Sequence, residues 1–448
     1  MTAFSQRLDG LRAAARPRVA GKVTAVVGLS VTVAGVPGRV GDLVLIGRGA
    51  TRLSSRDPAA PPIPAEVVAV DGERINCLPL GSLVGVGAGD PVVSTGSPLR
   101  IPVGAALRGR VLNGLGQPMD GGPPLFDCAD VSVDLEPPSA MDRPRVTTPL
   151  PLGVRAMDTL VPCGRGQRLG IFAGSGVGKS SLLSMITRGT AAQITVVGLV
   201  GERGREVREF LEQDLGPAGL ARSVVVVAPS DQPPLVRLRA GFVATRIAEW
   251  FRDEGADVLL MMDSVTRVAM AQREVGLSVG EPPATRGYPP SVFALLARLL
   301  ERAGTGPTGT INGLYTVLVE GDDHNEPIAD AARSILDGHV VLDRRLASAG
   351  HFPSIDVLES VSRVSGAITT PDQRRDAQTL RRLMAAHREV RELVEIGAYV
   401  PGTNPDADSA RARWPQINEF LCQDMDDQTS AEGAWAALRR LLQEGNGS

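Results

Sequence analysis

The order of apolar and polar positions changes character four times along the chain, and each change predicts a different unit. Residues 1–18 place Phe4, Leu8 and Leu11 on one face of a short helix, with Arg7, Arg12 and Arg16 around it, and the pattern stops at Pro17. A basic amphipathic segment of this kind suits docking on a partner protein or a membrane surface; the bland alternative is a solvated tail. From 19 to 97 short β-branched runs, KVTAVV and VTV among them, alternate with glycines and predict a small all-β barrel. Residues 98–150, with GRVLNGLG at 109–116 and a proline-rich stretch at 137–151, read as a linker and the entry to a core. Between 151 and 370 near-continuous apolar runs at 169–172, 194–200, 224–228, 258–262, 314–319 and 340–342 alternate with helical periods. Runs without polar alternation belong to parallel strands covered on both faces, so a doubly wound α/β domain is expected. The last segment, 371–448, reads as helical, with Leu380, Leu383, Met384, His387 and Val394 on one face, the methionine and histidine being core or boundary residues.

Composition narrows the function classes. At 448 residues the chain exceeds one typical core, which agrees with several units. With 43% hydrophobic residues, a formal charge of -3, no apolar run near membrane length and no signal-like N-terminus, it reads as a cytoplasmic globular protein. Phe4 is the only aromatic residue before Phe126, so the barrel lacks the stacking platform that single-stranded nucleic acid needs and reads as an assembly collar. The four cysteines follow neither disulfide nor metal spacing, and the four histidines form no cluster.

The chemistry concentrates in AGSGVGKSS, which follows the apolar run at 169–172 and opens a helical period. Glycines there let successive backbone N–H groups curl around phosphate oxygens while the next helix points its positive end at them. Gly174, Ser175, Gly176, Val177, Gly178, Lys179, Ser180 and Ser181 are the predicted nucleotide-binding residues, with Lys179 reaching the outer phosphates and the Ser180 hydroxyl holding Mg²⁺. Ala173 stands where the strict motif has glycine. Of the 47 basic residues only Lys22 and Lys179 are lysine, so a chain that otherwise uses arginine keeps a compact ammonium at the phosphate position. Ligands in such sheets sit beyond the carboxyl ends of strands, which selects Glu202, just past the 194–200 run, and Asp263, closing VLLMMD. Asp263 is the predicted Mg²⁺ acid and Glu202 the carboxylate that orients and polarises water; the competing role for Glu202 is an ion pair with Arg203.

AGSGVGKS, GERGREVREFLE, VLLMMDSVTRVAMAQRE, GEPPATRGYPPSVFALLARLLERAG and YTVLVEGDDHNEPIADAARSILDGHVVLDRRLASAGHFPSIDVLESVSRV together resemble the type III protein export ATPases of the bacterial flagellum. The likeness spans about 109–364. Weaker likenesses point to virulence secretion ATPases, the rotary ATP synthase catalytic subunit and the transcription termination helicase. The resemblance implies a ring of six subunits that hydrolyses ATP with Mg²⁺, with nucleotide at the interfaces, to energise unfolding or release of export substrates. It assigns Lys179 and Ser180 to phosphate and Mg²⁺, Glu202 as the catalytic carboxylate, Asp263 as the Mg²⁺ acid, Arg363 as an arginine finger for the neighbour's site, and Phe352 as the residue stacking on adenine. Arg203 and Arg344 are the alternative catalytic arginines. Implied partners are a stator-like regulator at the N-terminal tail, a coiled-coil stalk in the central channel near 275–290, the export gate and chaperone-substrate complexes. Peripheral association with the inner face of the cell membrane follows, without nucleic acid. The competing functions are a virulence export ATPase and a non-catalytic structural nucleotide-binding ring subunit, against which Glu202 argues.

Overall fold

The computed structural model describes residues 19–47, 61–319 and 326–443, so the amphipathic tail at 1–18 lies outside the described residues. Six strands close the N-terminal barrel: β1 (Ala20–Val27), β2 (Ser30–Ala34), β3 (Asp42–Ile46), β4 (Ile63–Asp71), β5 (Arg74–Pro79) and β6 (Pro91–Pro98), in the order β1-β2-β5-β4-β3-β6 with β6 returning to β1. Alternation places Val31 and Val33 of β2 inside, against Val23, Val44, Ile46, Val67 and Ile75, while Ser30, Thr32 and Ala34 face outward.

Two short strands, β7 (Arg100–Val103) and β9 (Ala129–Ser132), pair antiparallel. Between them β8 (Val111–Asn113) joins the edge of the central sheet, parallel to β12 (Ser223–Ala228), with Val225 opposite Val111. The GRVLNGLG stretch therefore contributes a strand to the core and is not a linker. Three residues are too short to show a period, so the strand becomes visible only through its partner.

The remaining strands are β10 (Arg168–Ala173), β11 (Ile194–Val200), β13 (Asp257–Asp263), β14 (Gly304–Thr305), β15 (Thr310–Leu318), β16 (Gly338–Leu342) and β17 (Ile355–Ser362). The order is β17-β16-β10-β15-β13-β11-β12-β8, with β14 beside β15; all pairs are parallel except β16 with β17 and β14 with β15. The apolar runs are explained by cores on both faces of the sheet, with Val197, Leu199, Val225 and Val227 of β11 and β12 entering a separate one with Phe210 and Leu215. In β13, Val258, Leu260 and Met262 enter one core with the helices Pro234–Asp253, Val265–Ser278 and Pro290–Glu301, while Leu259 and Met261 enter the other with the helix Lys179–Gly189.

That second core also takes Leu380, Met384, Ile417, Phe420 and Leu438 from the C-terminal helices Pro371–Glu395, Trp414–Leu421 and Ala431–Gln443, while the helix Pro405–Ala412 packs Ala407 on Ala386 and Val390. Thr370 and Gln373 close a capping box at the start of the long helix. His387 sits at the boundary, its ring stacked on Trp414 at 3.6 Å between centroids.

Candidate active site

The sheet order brings the carboxyl ends of β10, β15, β13 and β11 side by side, and the predicted residues follow from those ends. After Ala173 the chain turns through Gly176 (φ 74°) and Gly178 (φ 88°), conformations that glycine adopts without Cβ cost, and the helix Lys179–Gly189 starts at once. Gly178 has a second reason to be glycine, since a Cβ there would stand 3.3 Å from the Phe352 ring. The backbone amides at this helix start are donors of the kind that can bind phosphate oxygens.

The Lys179 ammonium lies between the two predicted carboxylates, 2.7 Å from Asp263 Oδ1 and 3.4 Å from Glu202 Oε1. The Thr316 hydroxyl on β15 donates to Asp263 at 2.7 Å and fixes its orientation. Burial would push the Lys179 pKa down, but Asp263 and Glu202 overcome it and hold the lysine above its ordinary value. Glu202 moves the other way for an acid: burial pushes it up to about 7, Lys179 opposes, and the nearby Asp263 and Glu206 carboxylates add to the rise. Arg203 is exposed and pairs with Glu206 at 3.1 Å. Glu202 is therefore the partner of Lys179, and the competing pairing with Arg203 is not the one present.

A cavity of about 830 Å³ opens in front of this cluster, lined by Gly174, Ser175, Gly176, Gly178, Lys179, Ser180, Ser181, Glu202 and Arg203. Arg344, one of the alternative catalytic arginines, shares its wall with residues to which the sequence assigned no role at the site: Arg267, Arg273, Arg286 and Tyr288. Arg344 donates to the Ser175 carbonyl at 3.1 Å, Arg273 lies over the Tyr288 ring at 5.0 Å, and Arg267 Nε is buried with no hydrogen-bond partner. Arg267 was legible in retrospect, one turn into the helix that follows Asp263; Arg286 and Tyr288 sit in a Gly/Pro-rich loop without periodicity. Val177 is absent from the cavity lining. Its side chain is buried in the core and its carbonyl accepts from Ser354 Oγ, so only its backbone belongs to the loop.

Phe352 stands beside the phosphate loop with its ring against Gly178 and 44% of its surface exposed. Arg363 is not in the cavity of its own chain. Its backbone N–H donates to Asp337 O, and Asp337 pairs with Arg168, the first residue of β10, whereas the phosphate loop follows the last. A six-residue strand separates the two by about 20 Å.

A cavity lined by Lys179 and five arginines against Glu202, Glu206 and Glu326, beside backbone amides at a helix start, fits a polyphosphate. The oxygens of Ser180 and Asp263 are hard donors of the kind Mg²⁺ takes alongside substrate phosphates, and the hold of Asp263 on an ammonium shows that it faces a cation.

Comparison with known proteins agrees with this geometry. The ATP synthase alpha/beta family nucleotide-binding domain matches residues 153–362, and the T3SS EscN ATPase C-terminal domain matches 369–440. The flagellum-specific ATP synthase of Bacillus subtilis is 49% identical over 421 residues, covering 94% of both chains. The type 3 secretion system ATPase of Xanthomonas euvesicatoria is 47% identical over 95% of this chain and 94% of its own. The assembled ATPase EscN from the enteropathogenic E. coli type III secretion system superposes with a TM-score of 0.87 at 43% identity, covering 94% of this chain and all of its own; a second structure holds EscN with its central stalk EscO. The chain belongs to the family of flagellum-specific ATP synthases and type III secretion ATPases.

Proposed function

We propose that this protein is the ATPase of a flagellar type III export apparatus, hydrolysing MgATP in a ring of six copies to release and unfold export substrates. The observation that carries the reading is the Lys179 ammonium held between Glu202 and Asp263 at the mouth of an arginine-lined cavity. Lys179 and the loop amides bind the β- and γ-phosphates. Ser180 and Asp263 would hold Mg²⁺, whose charge would neutralise the phosphate oxygens. Glu202, 3.4 Å from the Lys179 ammonium, is the residue that, once ionised, would accept a proton from the attacking water. Phe352 offers the open face of its ring to the base.

Arg363 completes a neighbour's site, because its own cavity lies at the opposite end of β10. Glu202 separates this reading from a structural nucleotide-binding subunit, which needs the phosphate loop without the carboxylate. The flagellar assignment is preferred to a virulence apparatus on the likeness to flagellum-specific relatives. A stalk in the ring's centre fits the pairing of EscN with EscO. The tail at 1–18 is the proposed contact for a stator-like regulator or the membrane surface, and export gate and chaperone-substrate complexes are the further partners. Among the described residues no helix is long and apolar enough to cross a membrane.

The test is ATP hydrolysis by the full chain. Activity per subunit should require Mg²⁺ and rise with protein concentration as rings assemble, and Lys179→Arg should remove it by a factor on the order of 10³ or more, because the planar fork cannot take the ammonium's position. A fully active Lys179→Arg removes the reading.

A further inference from the structure

The C-terminal helical unit touches the nucleotide site through one segment, 422–429, between the helices Trp414–Leu421 and Ala431–Gln443. Its bonds run to the α/β core, and they converge on Gln423. This glutamine is 5% exposed, and every polar atom of its side chain is used. Oε1 accepts from Arg155 N at 2.8 Å, while Nε2 donates to Gly153 O at 2.9 Å and Asp427 O at 2.8 Å. Arg155 grips the segment from the other side, donating to Asp427 Oδ2 at 2.5 Å and Thr429 Oγ1 at 3.1 Å, and to the carbonyls of Phe420 and Cys422.

What this clasp holds is a backbone donor. The Gln423 N–H bonds the carbonyl of Phe352 at 2.9 Å. Phe352 is thereby fixed on three sides: its carbonyl by Gln423, its ring edge by Gly178, and its chain two residues on by the Ser354 hydroxyl on the Val177 carbonyl. A buried amide with all its partners satisfied is costly to disturb, so the donor's position is set by the core and not by solvent.

We propose that Gln423 is a positioning residue for the nucleoside end of ATP: by clamping 422–429 to Gly153 and Arg155, it sets the plane of the Phe352 ring and couples the C-terminal helices to base binding. The inference rests on the stacking role given to Phe352 above. It concerns the base alone, since no bond of Gln423 reaches the phosphate loop's amides or Lys179.

Two probes separate base from phosphate: ATP, and inorganic tripolyphosphate, which carries the same phosphates and no base. Base stacking on an aromatic side chain is worth about 1–3 kcal/mol, which is roughly tenfold to a hundredfold in affinity. Phe352→Ala in the full chain should weaken ATP by that factor and leave tripolyphosphate unchanged. Gln423→Ala should weaken ATP several-fold, raise KM with kcat little altered, and also leave tripolyphosphate unchanged. Because both act through one ring, the double variant should bind ATP no worse than Phe352→Ala alone. Asp427→Ala loosens the same segment from the Arg155 side and should repeat the effect if Gln423→Ala does not fold.

Unchanged ATP binding in Phe352→Ala removes the stacking role, and the inference falls with it. Weakened binding in Phe352→Ala together with unchanged binding in both clasp variants keeps the stacking role and overturns the inference. Equal losses of ATP and tripolyphosphate in Gln423→Ala mean a general loosening of the core and overturn it as well.

Discussion

Two clusters of buried charge in this chain use the same ingredients to opposite ends. Arg302 and Glu249, both fully enclosed, meet in two parallel bonds of 2.7 Å, and the remaining arm of Arg302 donates to Val133 O at 3.1 Å. That cluster is closed. Every charge has a fixed partner, and it ties the helices Pro234–Asp253 and Pro290–Glu301 to the chain entering the core. Lys179 instead meets two carboxylates through single contacts at the edge of a large cavity, with Glu202 pushed up to about 7. The difference is that between a fork and a point charge: a guanidinium saturates its carboxylate, whereas an ammonium leaves lone pairs and space for phosphates and a cation. In a chain with 45 arginines among its 47 basic residues, the placement of lysine at 179 marks the cluster that is built to be incomplete.

If the open cluster is completed by a neighbour, the largest effect after loss of Lys179 itself belongs to Arg363. Arg363→Ala should lower kcat on the order of 10³-fold and keep ATP affinity, because the guanidinium meets charge that develops only in the transition state. Mixing these subunits with an excess of Lys179→Ala subunits should restore activity where an intact Lys179 site faces an intact Arg363. Mixed rings that stay inactive would place the working arginine elsewhere, with Arg203 and Arg344 next in line.

The closed cluster predicts the reverse pattern. Arg302→Met leaves Glu249 buried with only the Arg246 guanidinium, 3.6 Å away, and should lower the unfolding free energy by up to about 3 kcal/mol, read from denaturant unfolding. Turnover per folded molecule should be unchanged, and a specific loss of turnover would erase the contrast between the clusters.

The smallest effect is a pH dependence. A carboxylate raised to about 7 by burial is protonated below that pH and cannot accept a proton from water. The free-enzyme rate constant kcat/KM should therefore fall as pH drops through 7, by at most about tenfold per unit, and level off above it. A flat profile between pH 6 and 8 would show that Glu202 is ionised throughout.

Much of this site was readable in the sequence because it is local. The phosphate loop, Glu202 and Asp263 each sit at the end of an apolar run, and the rule about strand ends needs no knowledge of strand order. What was not readable depends on non-local pairing. β10 lies between β15 and β16, more than 130 residues away in sequence, and only that order shows Arg363 to be at the wrong end of the sheet for its own site. β8 hid in a presumed linker because three residues carry no period, and Gln423 lies outside any motif, its role made by bonds to residues some 70 and 270 positions earlier.

Glu202→Gln tests the central claim most directly, because the amide keeps the shape of the side chain and removes the charge and basicity that the open cluster supplies to water. ATP binding and ATP hydrolysis should be measured on the same preparation. The account predicts near-normal binding with turnover lowered by a factor on the order of 10²–10⁴, the range of positioned acid-base groups. Turnover that survives, or binding that vanishes together with turnover, would show that Glu202 holds the site together and does not act on water.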